Sequence, residues 1–103
     1  MKRLTIIVQT HDEQELTNQL RRIEQVEGFT LVHIEGHGIE SERDPFLSAR
    51  DEVVGANPGV RADVVLQDSD LDTVLNTIRE AKESGKVSGA YYWISSVEQE
   101  GHL

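Results

Sequence analysis

Cysteine is absent from the 103 residues, which excludes disulfides, thiolate metal sites and thiol nucleophiles. Long apolar runs are missing too: nothing approaches the ~18 residues of a membrane-spanning helix. The N-terminal stretch Met1-Lys2-Arg3-Leu4-Thr5-Ile6-Ile7-Val8-Gln9 has too short an apolar core, and no small-residue cleavage site, for a signal peptide. A cytoplasmic protein with no direct membrane insertion is therefore expected. Positive charge is scarce, with ten Lys and Arg against nineteen Asp and Glu, and the net charge of −9 repels nucleic acid and anionic lipid. Catalytic signatures are lacking as well. There is no Gly-x-Ser-x-Gly, Walker loop, His-Glu-x-x-His or dinucleotide fingerprint, and helix capping accounts for the paired carboxylates Asp70 and Asp72. The expectation is a non-enzyme.

What the chain does contain is a clear alternation of periods. Its length suits one domain, residues 1–103, with one core. Leu4, Ile6 and Val8 alternate with Thr5, Ile7 and Gln9, the period of a strand with one apolar face. Thr10-His11-Asp12-Glu13 fits a capping box, and Leu16, Leu20, Ile23 and Val26 follow at helical spacing until Gly28. Residues 29–36, with Val32 and Ile34, read as a second strand. Val60, Ala62, Val64 and Leu66 alternate as a third. Asp68-Ser69-Asp70 caps a second helix along Leu71, Val74, Leu75, Ile78 and Ala81, which Gly85 stops, and residues 91–97 form the last strand. The order βαββαβ predicts an α+β, ferredoxin-like fold. Two helices cover one face of such a sheet. The other face, with Ile7, Val65 and part of the Tyr91-Tyr92-Trp93-Ile94 run, is left for other chains to cover.

Between the second and third strands lie about twenty residues with no sustained period, interrupted by Pro45, Pro58 and three glycines, which is long for a compact domain. Phe46, Ala49 and Val53 have helical spacing, so a short helical turn over 45–54 fits if it docks. Glu40, Glu42, Asp44, Asp51 and Glu52, opposed only by Arg43 and Arg50, make this loop acidic. Two readings stand for it, a solvated charge run and a surface that meets a basic partner segment.

The segment Ser84-Gly85-Lys86-Val87-Ser88-Gly89-Ala90-Tyr91-Tyr92-Trp93-Ile94-Ser95-Ser96-Val97-Glu98 resembles the signature of PII signalling proteins, Thr-Gly-x-x-Gly-Asp-Gly-Lys-Ile-Phe-Val-x-x-Val-Glu. In that signature the turn offers backbone N–H groups to a phosphate. The resemblance extends over Gly36-His37-Gly38 ahead of the long loop, Pro58-Gly59-Val60-Arg61-Ala62-Asp63 and Asp68-Ser69-Asp70-Leu71, and so over nearly the whole chain. Within the PII-like superfamily it is most similar to short members associated with heavy-metal efflux pumps.

That resemblance implies a homotrimeric signal-transduction protein, like the nitrogen regulatory proteins, that senses a small ligand at intersubunit clefts. It would regulate a partner, typically a membrane transporter or efflux pump, through the long T-loop. Carried over by position, Gly36, His37, Gly38, Arg61 and the turn Gly85, Lys86, Val87, Ser88 and Gly89 become ligand-binding candidates. Glu40, Glu42, Arg43, Asp44, Phe46 and Arg50 become the partner-binding loop. No cofactor is required; an adenine nucleotide or another small anion is the implied ligand. The chain also departs from the pattern. Ile39-Glu40 stands in place of Arg-Gln, Ala90 in place of lysine, and Glu98-Gln99-Glu100-Gly101-His102-Leu103 in place of a basic tail, which weakens nucleotide binding and leaves a metal at His37 as a competitor. Two alternatives stay open: a trimeric metal-binding module like the CutA proteins, and a regulator of inorganic-carbon uptake. His33 and His37, four apart on one strand, would lie ~13 Å from one another, too far to share a metal within one chain.

Overall fold

The strand period of the first residues is realised as β1 (Lys2–Gln9), in which Leu4, Ile6 and Val8 are buried. The structure is a computed structural model and describes residues 1–37 and 56–103. After β1 come α1 (Glu13–Arg22), β2 (Thr30–His37), β3 (Ala56–Leu66), α2 (Leu71–Glu83) and β4 (Tyr91–Ser96). The strands form one antiparallel sheet in the order β2-β3-β1-β4. This is the expected βαββαβ arrangement, with each helix linking two strands that lie either side of a third.

Register decides which side chains share a face. Leu4 pairs with Val64 and Ile94, Ile6 with Ala62 and Tyr92, and Val8 with Val60. These residues point at the helices, where Leu16 and Leu20 of α1 and Val74, Leu75, Ile78 and Ala81 of α2 close the core. Each fully buried aliphatic side chain contributes about 1.5–3 kcal/mol. The alternate residues, Thr5, Ile7, Arg61, Asp63, Val65, Tyr91 and Trp93, lie on the opposite face, and no helix among the described residues covers it.

The helix ends differ from expectation. Thr10 forms no capping box: Thr10–Asp12 is a 3-10 turn, and Asp12, at the N-cap of α1, makes no side-chain cap bond because its carboxylate is drawn across to Ser88. Asp68–Asp70 is likewise a 3-10 turn without a side-chain cap, and Asp68 reaches the Met1 amine at 3.0 Å instead. The first helix stops at Arg22, well before Gly28, where Ile23 turns extended (ψ 115°) so that its side chain stays buried against the core. Gly85 ends α2 as expected, with φ +81°, a conformation most L-residues avoid. Strand β3 begins at Ala56, earlier than the alternation suggested, with Pro58 placed beyond the last β1 pair, Gln9–Gly59, so its missing N–H breaks no bond to that strand.

Candidate functional site

Where the end of β2, the start of β3 and the turn before β4 meet the last residues of β1, they enclose a cleft of about 400 Å³. Ile7 and Gln9 form its floor, Ile34 and Gly36 one wall, Asn57 to Gly59 another, and Gly89 to Tyr91 the third. Gly59 is needed here. A Cβ at this position would lie 2.8 Å from the carbonyl oxygen of Val8, so only glycine lets β3 approach β1 this closely. At the cleft floor Gln9 Oε1 is buried and has no hydrogen-bond partner among the described residues, a state that costs about 1–3 kcal/mol. No lysine or arginine is among the described residues that line the cleft.

Gly36 and Gly89 therefore meet in one place within the chain. None of the other carried-over residues that the structure describes lines the cleft, though Arg61 pairs with Ile7 beside it. Arg61 lies on the open face: its Nε donates to Asp63 Oδ2 at 3.0 Å, and its guanidinium sits 5.7 Å from the centroid of the Trp93 ring. Asp63 also accepts from the hydroxyl of the fully buried Thr5 at 2.7 Å. Burial raises the pKa of Asp63, but the hydrogen bonds from Thr5 and Arg61 and the charges of Arg61 and Arg3 outweigh it, so the carboxyl titrates below its ordinary range. Arg61 is thus held by a carboxylate of its own strand.

The turn departs furthest from the phosphate cradle expected of residues 85–89. Gly85 N–H donates to Lys82 O at 3.1 Å, while Lys86 and Val87 N–H both donate to Ala81 O, at 2.9 and 3.2 Å. Val87 is an anchor rather than a ligand residue, buried in the core, and the Lys86 side chain is exposed beside Glu80 and Ser84, away from the cleft. Ser88 N–H donates to both oxygens of Asp12 at 3.2 Å, and Ser88 Oγ–H donates to Oδ2 at 2.6 Å. Asp12 itself is only 4% exposed. His11 Nε2 lies 3.1 Å from Ser88 Oγ. Serine, histidine and aspartate meet here, but with the wrong proton order for a nucleophile. The serine proton goes to the carboxylate, so the imidazole faces the hydroxyl as donor and not as base.

His37, the metal candidate, pairs with Glu35 at 3.1 Å, and His33 pairs with Glu13 of α1. Among the described residues no three His, Asp or Glu converge as a metal site. Gly38, Glu40, Glu42, Arg43, Asp44, Phe46 and Arg50, and the helical turn over 45–54, lie outside the described residues. Sequence reading missed Gln9, Asp12, Thr5 and Asp63. Asp63 had a usable signal, because residues two apart on a strand share a face and a carboxylate beside Arg61 was bound to meet it.

No helix among the described residues is long and apolar enough to cross a membrane. The fold matches a crystal structure of a DUF3240 family protein from Shewanella baltica OS155 with TM-score 0.77 and 19% identity, over 99% of this chain and 94% of that one. By sequence the chain is 25% identical over 99 residues to nitrogen regulatory protein P-II of Rhizobium meliloti (strain 1021), spanning 96% of this chain and 88% of the relative. Nitrogen regulatory protein P-II 2 of Methanothermobacter thermautotrophicus is also 25% identical over 99 residues, with 96% and 85% covered. The family model described as "Protein of unknown function (DUF3240)" matches residues 1–103, and with fold and sequence in accord the chain belongs to the DUF3240 family, within the PII-like superfamily.

Proposed function

We propose that this protein is a regulator of the PII type, which binds a small ligand in the cleft at Ile7, Gly36 and Gly89 and transmits occupancy to a protein partner. The observation that carries the reading is the unpartnered Gln9 Oε1 at the floor of a cleft built where β2 ends and β3 begins against the turn. A buried acceptor without a donor is unfavourable in a folded chain unless something supplies one. The relatives named as nitrogen regulatory proteins support a regulatory role. The assembly is a homotrimer that uses the open sheet face, on which Val32, Val65 and Tyr91 are 48%, 42% and 69% exposed. The partner class is a membrane transporter or efflux pump, and the setting is the cytoplasm.

The test combines light scattering with thermal-shift measurements over neutral, cationic and anionic metabolites, adenine nucleotides and divalent metal ions. Gly36→Val is the control: a Cβ at Gly36 meets, among the described residues, Asn57 O at 3.5 Å, an ordinary contact, and the branched side chain beyond it narrows the cleft. Three chain masses are expected, together with a ligand that raises Tm in the wild type and not in Gly36→Val. A stable monomer at micromolar concentration, or a panel that acts alike on both proteins, overturns the reading.

A further inference from the structure

We infer that Asp12 is a specificity-determining residue: it fills the anion position of the turn with the chain's own carboxylate, so that the adjoining cleft rejects phosphates and takes an uncharged or cationic ligand that donates a hydrogen bond to Gln9. The ligand class rests on the cleft being a ligand site; the occupancy of the turn does not.

Two independent observations converge. A turn rich in glycine binds phosphate when several N–H groups point outward together. In this turn the N–H groups of residues 85, 86 and 87 are spent on carbonyls of α2, and that of Ser88 on Asp12. The Ser88 hydroxyl, a further anion donor, is also given to Asp12, at 2.6 Å. The carboxylate is almost sealed from water, so its contact with the turn is little screened. An incoming phosphate would have to displace it or lie beside it, and like charges at such a distance repel. The second observation is the cleft itself. Gly89 and Ala90, which follow Ser88 directly, form one of its walls, yet the described residues of the lining offer no cation to a phosphate. Its unmet polar group is an acceptor, Gln9 Oε1, which a rotation about the terminal amide torsion brings round to a ligand N–H or O–H. Ile7, Ile34 and Tyr91 supply apolar surface for the body of that ligand.

Asp12→Asn tests this with the turn kept in place, since an amide oxygen still accepts from Ser88 while the charge is gone; Asp12→Ala serves as a second variant. Tripolyphosphate is the probe for the turn, and adenosine with AMP is the matched uncharged and charged pair for the cleft. Binding is followed by amide NMR shifts of Ser88, Gly89, Gly36 and Tyr91. In wild type, tripolyphosphate should leave Ser88 and Gly89 unmoved, and adenosine should bind at least about tenfold more tightly than AMP. In Asp12→Asn, tripolyphosphate and AMP should each gain about tenfold or more, with adenosine changed by less than about threefold. Gln9→Leu should weaken adenosine and leave tripolyphosphate unaffected. Tripolyphosphate shifting Ser88 in wild type, AMP matching adenosine there, or no gain in either Asp12 variant overturns the inference. If neither adenosine nor AMP moves Gly36 or Tyr91 in any variant, the ligand class falls together with the cleft reading, while the tripolyphosphate result still decides the role of Asp12.

Discussion

On the helix side of the sheet Leu4, Ile6, Val60, Ala62 and Val64 are buried to within 1% of completely, in one apolar cluster. On the opposite face Ile7 of β1, Val65 of β3 and Tyr91 and Trp93 of β4 surround the polar chain Thr5–Asp63–Arg61 and remain partly or largely exposed. The difference separates two tasks. Apolar packing tolerates many partners of the right volume, whereas a hydrogen-bonded charge group is satisfied in few geometries. The helix face is built for cohesion within one chain, and the open face holds a charged group that few geometries satisfy.

The sharpest way to break that contrast is a pair of truncations. Leu4→Ala should cost about 2–5 kcal/mol, read as a lowered urea midpoint at unchanged slope. Ile7→Ala, on the half-exposed face, should cost less than half as much at low protein concentration. If the open face is covered by neighbouring chains, the cost of Ile7→Ala should grow with protein concentration and that of Leu4→Ala should not. Equal, concentration-independent costs would mean that the two faces are not distinct. Next in size is Gly59→Ala. Its Cβ would press on the backbone oxygen of Val8 and drive β3 from β1, for about 1–3 kcal/mol; a change within 0.5 kcal/mol, roughly the scatter of an ordinary surface substitution, would contradict the close approach.

Much of the fold was legible because it is written in short-range periods. The two-residue alternation of Leu4, Ile6 and Val8 and of Val60, Ala62, Val64 and Leu66 became the central strands, β1 and β3, and the helical stripe ending at Gly85 became α2. What was not legible depends on contacts distant in sequence. Thr10-His11-Asp12-Glu13 carries a sound local signal for a capping box, but the Asp12 carboxylate found a stronger partner 76 residues away at Ser88. The candidate site was half legible for the same reason. Gly36 and Gly89 marked a place where backbone needs room, and they do meet at the cleft. Whether the amides of a glycine-rich turn face outward or back to the preceding helix is set by the burial of Val87, which pulls the turn inward, and a pattern of glycines does not report it. Arg61, carried over by position from the resemblance, has a geometry that its strand neighbour Asp63 sets, through the bond to its guanidinium.

The smallest expected effect concerns the polar chain of the open face and is read from pH. Asp63 titrates below its ordinary range in the folded protein, because the bonds from Thr5 and Arg61 and the charges of Arg61 and Arg3 favour the ionised form over the opposing effect of burial. A group whose folded pKa is depressed stabilises the fold above its unfolded pKa, near 3.9 for aspartate, and loses that contribution as pH falls through the folded value. Between pH 7 and 5 it should therefore contribute a constant amount, and the loss should begin only below about pH 4. Asp63→Asn keeps an acceptor for the Thr5 hydroxyl but leaves Arg61 without its carboxylate, so it should cost about 1 kcal/mol at neutral pH. The difference between mutant and wild type should shrink on acidification. Urea unfolding of both proteins at pH 7, 5 and 3 provides the measurement. A gap that stays constant down to pH 3 would show that Asp63 is not held ionised by these partners, and the open face would then lose the one feature that sets its geometry apart from a plain apolar surface.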